Sequence, residues 1–139
     1  IVVSGTKKVN NMLIENLKNK KKRVVVLPVS APFHCSLMKD ALENMRDKIT
    51  KTDFFEPKIP IITNVTAKEE SEINGIKTLL VKQITSRVRW RESVEYMIRN
   101  GVSNFIEIGP GKVLSGLVKK INKEVKISNI NSIEDIKND

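Results

Sequence analysis

Leu27-Pro28-Val29-Ser30-Ala31-Pro32-Phe33-His34-Cys35-Ser36-Leu37-Met38 takes the chain out of an apolar run and into a helical pattern. Upstream, Arg23 to Val29 is rich in β-branched residues and bounded by lysines on one side and proline on the other, which predicts a buried strand. Pro32 disfavours helical angles at Ala31, so the chain turns there. From Ser36 onward Leu37, Met38, Ala41, Leu42, Met45 and Ile49 recur at helical spacing, with charged residues between them. Strand, turn and helix in succession are the unit of an α/β fold, and such turns present functional side chains on a rigid scaffold. This one holds the single histidine of the chain. Imidazole is the side chain best suited to take and return a proton near neutral pH, which makes His34 a candidate proton carrier. An ordinary surface or core histidine is the plainer alternative.

The same alternation extends in both directions. Ile1 to Val3 predicts a strand, and Val9, Met12, Leu13 and Leu17 fall on one face of a helix that ends in a lysine run. Pro57 and Pro60 bracket a linker into a strand at Ile59 to Ile62. Helical patterns follow over about Gly75 to Thr85 and Trp90 to Arg99, the second stopped by Asn100-Gly101. Asn104 to Ile108 predicts a strand, Gly109-Pro110-Gly111 a turn, Lys112 to Ile121 a helix, Val125 to Ser128 a last strand, and about Ile133 to Lys137 a short helix. The order implies helices packed on a largely parallel sheet.

Composition narrows the classes. With 139 residues, 40% of them hydrophobic, the chain can form one modest core, and no apolar run is long enough to span a membrane. No secretory leader pattern stands at the start. One cysteine excludes an internal disulfide framework, and one cysteine with one histidine cannot by themselves make a structural zinc site. Cys35 next to His34 raises a Cys/His nucleophile pair, but adjacent residues on a turn seldom point at one another. A formal net charge of +9 favours acidic partners. The densest basic patch is Lys18, Lys20, Lys21, Lys22 and Arg23. With four Phe, one Trp and one Tyr in the chain, and none interleaved with that patch, it lacks the stacking platform of a single-strand nucleic-acid binder. A solvated helix end and loop in a lysine-rich chain is the better reading of the patch.

Ser30-Ala31-Pro32-Phe33-His34-Cys35-Ser36-Leu37-Met38 resembles the histidine motif of malonyl-CoA:acyl carrier protein transacylases. Three further segments resemble the same family in the same order: Ile61-Ile62-Thr63-Asn64-Val65-Thr66; Leu80-Val81-Lys82-Gln83 leading to Val88-Arg89-Trp90 and Ser93-Val94-Glu95; and Glu107-Ile108-Gly109-Pro110-Gly111-Lys112-Val113-Leu114. The likeness covers essentially the whole chain and corresponds to the C-terminal portion of the acyltransferase family. It implies the C-terminal part of an α/β-hydrolase-like acyltransferase core (residues 30–139) preceded by the closing part of a ferredoxin-like subdomain (residues 1–29).

The resemblance also implies roles. His34 is the general base and Gln83 supplies a backbone carbonyl that orients it; Phe33 and Asn64 lie on the substrate side, Phe33 crowding the acyl α-carbon to favour malonyl over methylmalonyl. The implied substrates are malonyl-CoA and acyl carrier protein, with no cofactor, no metal, no nucleic acid and no membrane. The implied setting is the cytoplasm, or an organelle lumen with bacterial-type fatty-acid synthesis. The family's nucleophile is a serine in a Gly-x-Ser-x-Gly elbow, and no such pentapeptide occurs between Ile1 and Asp139. Ser115 lies in a helical pattern instead. The expectation is therefore a fragment, inactive alone, whose serine and carboxylate-binding arginine belong to an N-terminal segment of the same enzyme. A non-catalytic basic binding module and an acyltransferase domain of a polyketide-type synthase are the alternatives.

Overall fold

The computed structural model describes residues 1–136, so the expected end of the last helix at Lys137 lies outside the described residues. The chain divides into two compact units, Ile1–Val65 with Glu69–Val88, and Thr66–Lys68 with the chain from Arg89 onward.

The first unit opens with α1, Lys7–Asn19, capped by Thr6, whose hydroxyl oxygen accepts from the Val9 N–H at 3.3 Å. Lys21 takes a left-handed φ of +54°, and Lys22 N–H returns to the Leu17 carbonyl at 2.9 Å, which closes the helix at the lysine run. Ile14 and Leu17 are half-buried while Val9 and Met12 face out, so the apolar face is rotated from the expected one.

Two expected strands do not form: neither Ile1 to Val3 nor Arg23 to Val29 pairs into a ladder. β-branched sequence fits a pleated surface, but a strand exists only where a partner pairs with it, and neither segment has a ladder partner among the described residues. Instead Ile1, Val3, Leu13, Leu17, Val25 and Leu27 help to line an open apolar groove of about 530 Å³.

A single 3₁₀ turn, Ser36–Met38, leads into α2, Lys39–Lys51, with Asp40 in its first turn and Lys48 and Lys51 in its last, each sign matched to the helix dipole. β1, Ile61–Ile62, is shorter than expected and pairs antiparallel with β2, Glu69–Glu70, in the register Ile61↔Glu70 and Ile62↔Glu69. α3, Ile73–Lys82, buries Ile76 and Val81 and packs against α2. The Lys77 ammonium donates to the Thr50 and Thr52 carbonyls at 3.2 and 2.7 Å, tying α3 to the C-terminal end of α2.

The second unit holds α4, Trp90–Arg99; β3, Asn104–Ile108; α5, Val113–Ile121; β4, Lys126–Ile130; and α6, Ile133–Ile136. β3 and β4 are parallel, from Asn104↔Lys126 to Ile108↔Ile130, with α5 as the crossover. Val94, Val118 and Val125 are buried at the centre, and Trp90, Met97, Phe105, Ile121 and Ile127 pack around them. Asn100 caps α4 and Gly101, at φ +89°, ends it as its sequence predicts. The fold class is α/β, as expected, with the parallel pairing confined, among the described residues, to β3 and β4.

Candidate functional site

His34 sits on the turn between Ala31 and α2. Phe33 N–H donates to the Ala31 carbonyl at 2.9 Å, and the Cys35 thiol donates to the Pro32 carbonyl at 3.1 Å, so the turn is pinned on both sides of the histidine. His34 itself adopts φ +60°, a left-handed conformation that costs a residue with a Cβ about 1–2 kcal/mol and is held only where the surroundings fix it.

What fixes it lies 49 residues away. Nδ1 of His34 is 2.9 Å from the main-chain carbonyl oxygen of Gln83. Gln83 caps α3, and its carbonyl is among the last carbonyls of that helix, which have no partner within it. A carbonyl oxygen can only accept, so Nδ1 carries the hydrogen and Nε2 of the neutral ring keeps its lone pair. The antiparallel packing of α2 and α3, tied at the far end by Lys77, brings the start of one helix to the end of the other. The side chain of Gln83 is held in turn: Asn64 Nδ2 donates to Gln83 Oε1 at 3.1 Å. Phe33, beside the histidine in sequence, leaves 45% of its surface exposed.

Three of the four residues singled out in the sequence, His34, Gln83 and Asn64, are thus joined by hydrogen bonds in one unit. Their arrangement can accept a proton at Nε2 while the ring is held through Nδ1. The cysteine takes no such position, since its thiol is turned back to Pro32. Among the described residues no group of three His, Cys, Asp or Glu side chains could hold a metal ion. No helix there is long and apolar enough to cross a membrane.

The second unit contains a polar cluster to which the sequence assigns no role. Glu107, at the C-terminal part of β3, accepts from the Leu114 and Ser115 N–H groups at 3.0 and 2.8 Å, and from Asn129 Nδ2 at 3.1 Å. Asn129 Nδ2 also donates to Ser115 Oγ at 2.7 Å. Bonds from the Ser115 hydroxyl and from the two amides pull the Glu107 carboxyl below its ordinary range. The carboxylate closes the N-terminus of α5, and the turn through Gly109 and Gly111, at φ +132° and +98°, returns the chain to it. The spacing of Glu107 ahead of a helix start is the signal that could have found it. Ser115 lies inside α5 with 9% of its surface exposed, a structural hydroxyl.

No family model matches the chain. It is 47% identical over 138 residues, 99% of its length, to the malonyl CoA-acyl carrier protein transacylase of Staphylococcus aureus, of which it covers 45%. Among solved structures it matches an acyl-carrier-protein S-malonyltransferase from Bartonella henselae with a TM-score of 0.90 and 42% identity, over 96% of this chain and 43% of that one. It also matches a malonyl-transacylase solved in complex with a type II polyketide acyl-carrier protein, with a TM-score of 0.87 and 35% identity over 94% of this chain and 42% of that one. The chain spans a little under half the length of the relatives it matches. With that identity along nearly its whole length, the chain is similar to the C-terminal part of malonyl-CoA:acyl carrier protein transacylases.

Proposed function

We propose that this chain is the histidine-bearing part of an enzyme that moves malonyl from coenzyme A to the thiol of acyl carrier protein through an acyl-serine. The observation that carries the reading is the bond from His34 Nδ1 to the Gln83 carbonyl, which leaves Nε2 as the base. In the first half-reaction Nε2 takes the proton of a serine hydroxyl as its oxygen attacks the malonyl thioester carbonyl. The imidazolium then gives that proton to the departing coenzyme A sulfur, leaving malonyl-serine. In the second, Nε2 takes the proton of the carrier protein's phosphopantetheine thiol as its sulfur attacks the ester, and returns it to the serine oxygen. Throughout, Nδ1–H stays on Gln83, whose carbonyl dipole faces the ring that becomes positive.

The serine and the carboxylate-binding arginine come, in this reading, from an N-terminal segment of the same enzyme. Residues 1–29 close a ferredoxin-like subdomain whose opening half belongs to that segment, and residues 30–139 belong to the α/β acyltransferase core. The exposed Val25, Val26 and Val29 of the apolar groove are what such a neighbour would cover. Phe33 and Asn64 belong to the substrate side. The excess of basic residues suits the phosphates of coenzyme A and an acidic carrier protein. The setting is the cytoplasm, or an organelle lumen with bacterial-type fatty-acid synthesis.

The test joins this chain to a segment that supplies a serine elbow and an arginine, then follows malonyl transfer and the malonyl-serine adduct by intact mass. His34→Ala is expected to lower transfer by about 10²–10⁴-fold. Transfer unchanged in that variant overturns the reading. A chain with salt-sensitive affinity for nucleic acid and none for acyl carrier protein would be a binding module instead.

A further inference from the structure

We infer that Asn64 is a positioning residue that acts on His34 through Gln83, an inference that rests on the proposed acyl transfer and refines the place of Asn64 within it. The carbonyl that holds His34 belongs to the last turn of a helix, where backbone groups fray most readily. Beyond it the chain continues only through weak turn bonds, Ile84 N–H to Val81 and Thr85 N–H to Lys82, each at 3.3 Å. Two ties hold Gln83 itself: its N–H to the Leu79 carbonyl at 2.9 Å, and its side-chain oxygen to Asn64 Nδ2 at 3.1 Å.

Asn64 is well placed to be the fixed end of that second tie. It follows β1 by two residues, and β1 is anchored by its pairing with β2. Both amides are half-buried, so the bond is partly shielded from water and losing it leaves two polar groups short of a partner. The amide of Asn64 is bonded to Gln83, and Gln83 is bonded to the ring. Removing the amide therefore loosens the acceptor of Nδ1–H without touching the base, and the loss falls on the rate of proton transfer more than on substrate affinity.

The experiment uses the enzyme reconstituted from this chain and the serine-bearing segment, with Asn64→Leu and Gln83→Met as near-isosteric replacements, alone and together. Each single variant is expected to lower kcat by roughly two- to tenfold, with KM for malonyl-CoA unchanged. The double variant should be no worse than the weaker single, because both remove one bond. Asn64→Asp should retain most of the activity, since Gln83 can turn its amide and donate to the carboxylate; this variant keeps the test alive if Asn64→Leu does not fold. A raised KM with kcat intact, or losses that multiply in the double variant, would overturn the inference. His34→Ala in the same assay separates the two levels. If it is inactive while Asn64 and Gln83 behave independently, only the positioning role fails; if it is fully active, the acyl-transfer reading fails.

Discussion

His34 and Gln83, 49 residues apart, meet through a ring nitrogen and a main-chain carbonyl at 2.9 Å. The acceptor is a backbone atom, so it survives any change of side chain at position 83 but not a displacement of the helix end. Gln83→Ala in the reconstituted enzyme is expected to keep kcat within about tenfold, against the roughly 10⁴-fold that follows loss of an orienting aspartate in a serine protease triad. Gln83→Pro removes the N–H that bonds the Leu79 carbonyl and strains the last turn, at about 3 kcal/mol or more, so activity should fall about a hundredfold or further. Steady-state kinetics of the two variants checks this. Equal losses would mean that the carbonyl is not what holds the ring.

Phe33 precedes His34 and leaves 45% of its surface open, enough for a ring to meet a bound acyl group. If it crowds the α-carbon, Phe33→Ala should reduce the preference for malonyl over methylmalonyl. One methyl group is worth about 1–3 kcal/mol, so the ratio of kcat/KM values should fall by at least tenfold and no more than about 200-fold. Competition between the two acyl-CoA substrates reads the ratio directly, and an unchanged ratio assigns Phe33 to packing.

How much of this is legible in the sequence depends on whether a property is local. α4 runs from Trp90 to Arg99 as its periodicity and its Asn100-Gly101 stop predict, because a helix satisfies its own backbone. Arg23 to Val29 looks as persuasive and forms no strand, because a ladder needs a second chain segment that the pattern cannot name. The turn at His34 follows from Pro32, but its left-handed φ does not, since that angle is imposed by the reach to Gln83. The acceptor itself is the hardest to see: every residue has a carbonyl, and only the packing of α3 on α2 selects this one. The resemblance to a known family supplied Gln83; composition and spacing did not.

Val94, on α4, is fully buried against Val118 and Val125. Val94→Ala removes two methyl groups and leaves a cavity, for about 2 kcal/mol of stability. In a unit of this size that should lower the melting temperature by several degrees, measured by thermal unfolding with circular dichroism. A change of less than about 0.5 kcal/mol would show that the space collapses or that this valine is not central to the core.

Glu107 makes the stability of the second unit depend on acid. Bonds from the Ser115 hydroxyl and from the Ser115 and Leu114 amides favour its charged form, so its folded pKa lies below the ordinary 4.5. Near that value the unfolded chain binds more protons than the folded one, so this contribution is complete above it and fades as pH falls through the lower, folded value. Glu107→Gln keeps the shape and loses the charge. It should melt at a lower temperature near neutral pH and lose less further stability on acidification than the parent chain. Thermal unfolding of both chains, at neutral pH and below 4.5, reads the difference between their slopes. Parallel slopes would mean that this carboxylate does not hold the start of α5 by its charge.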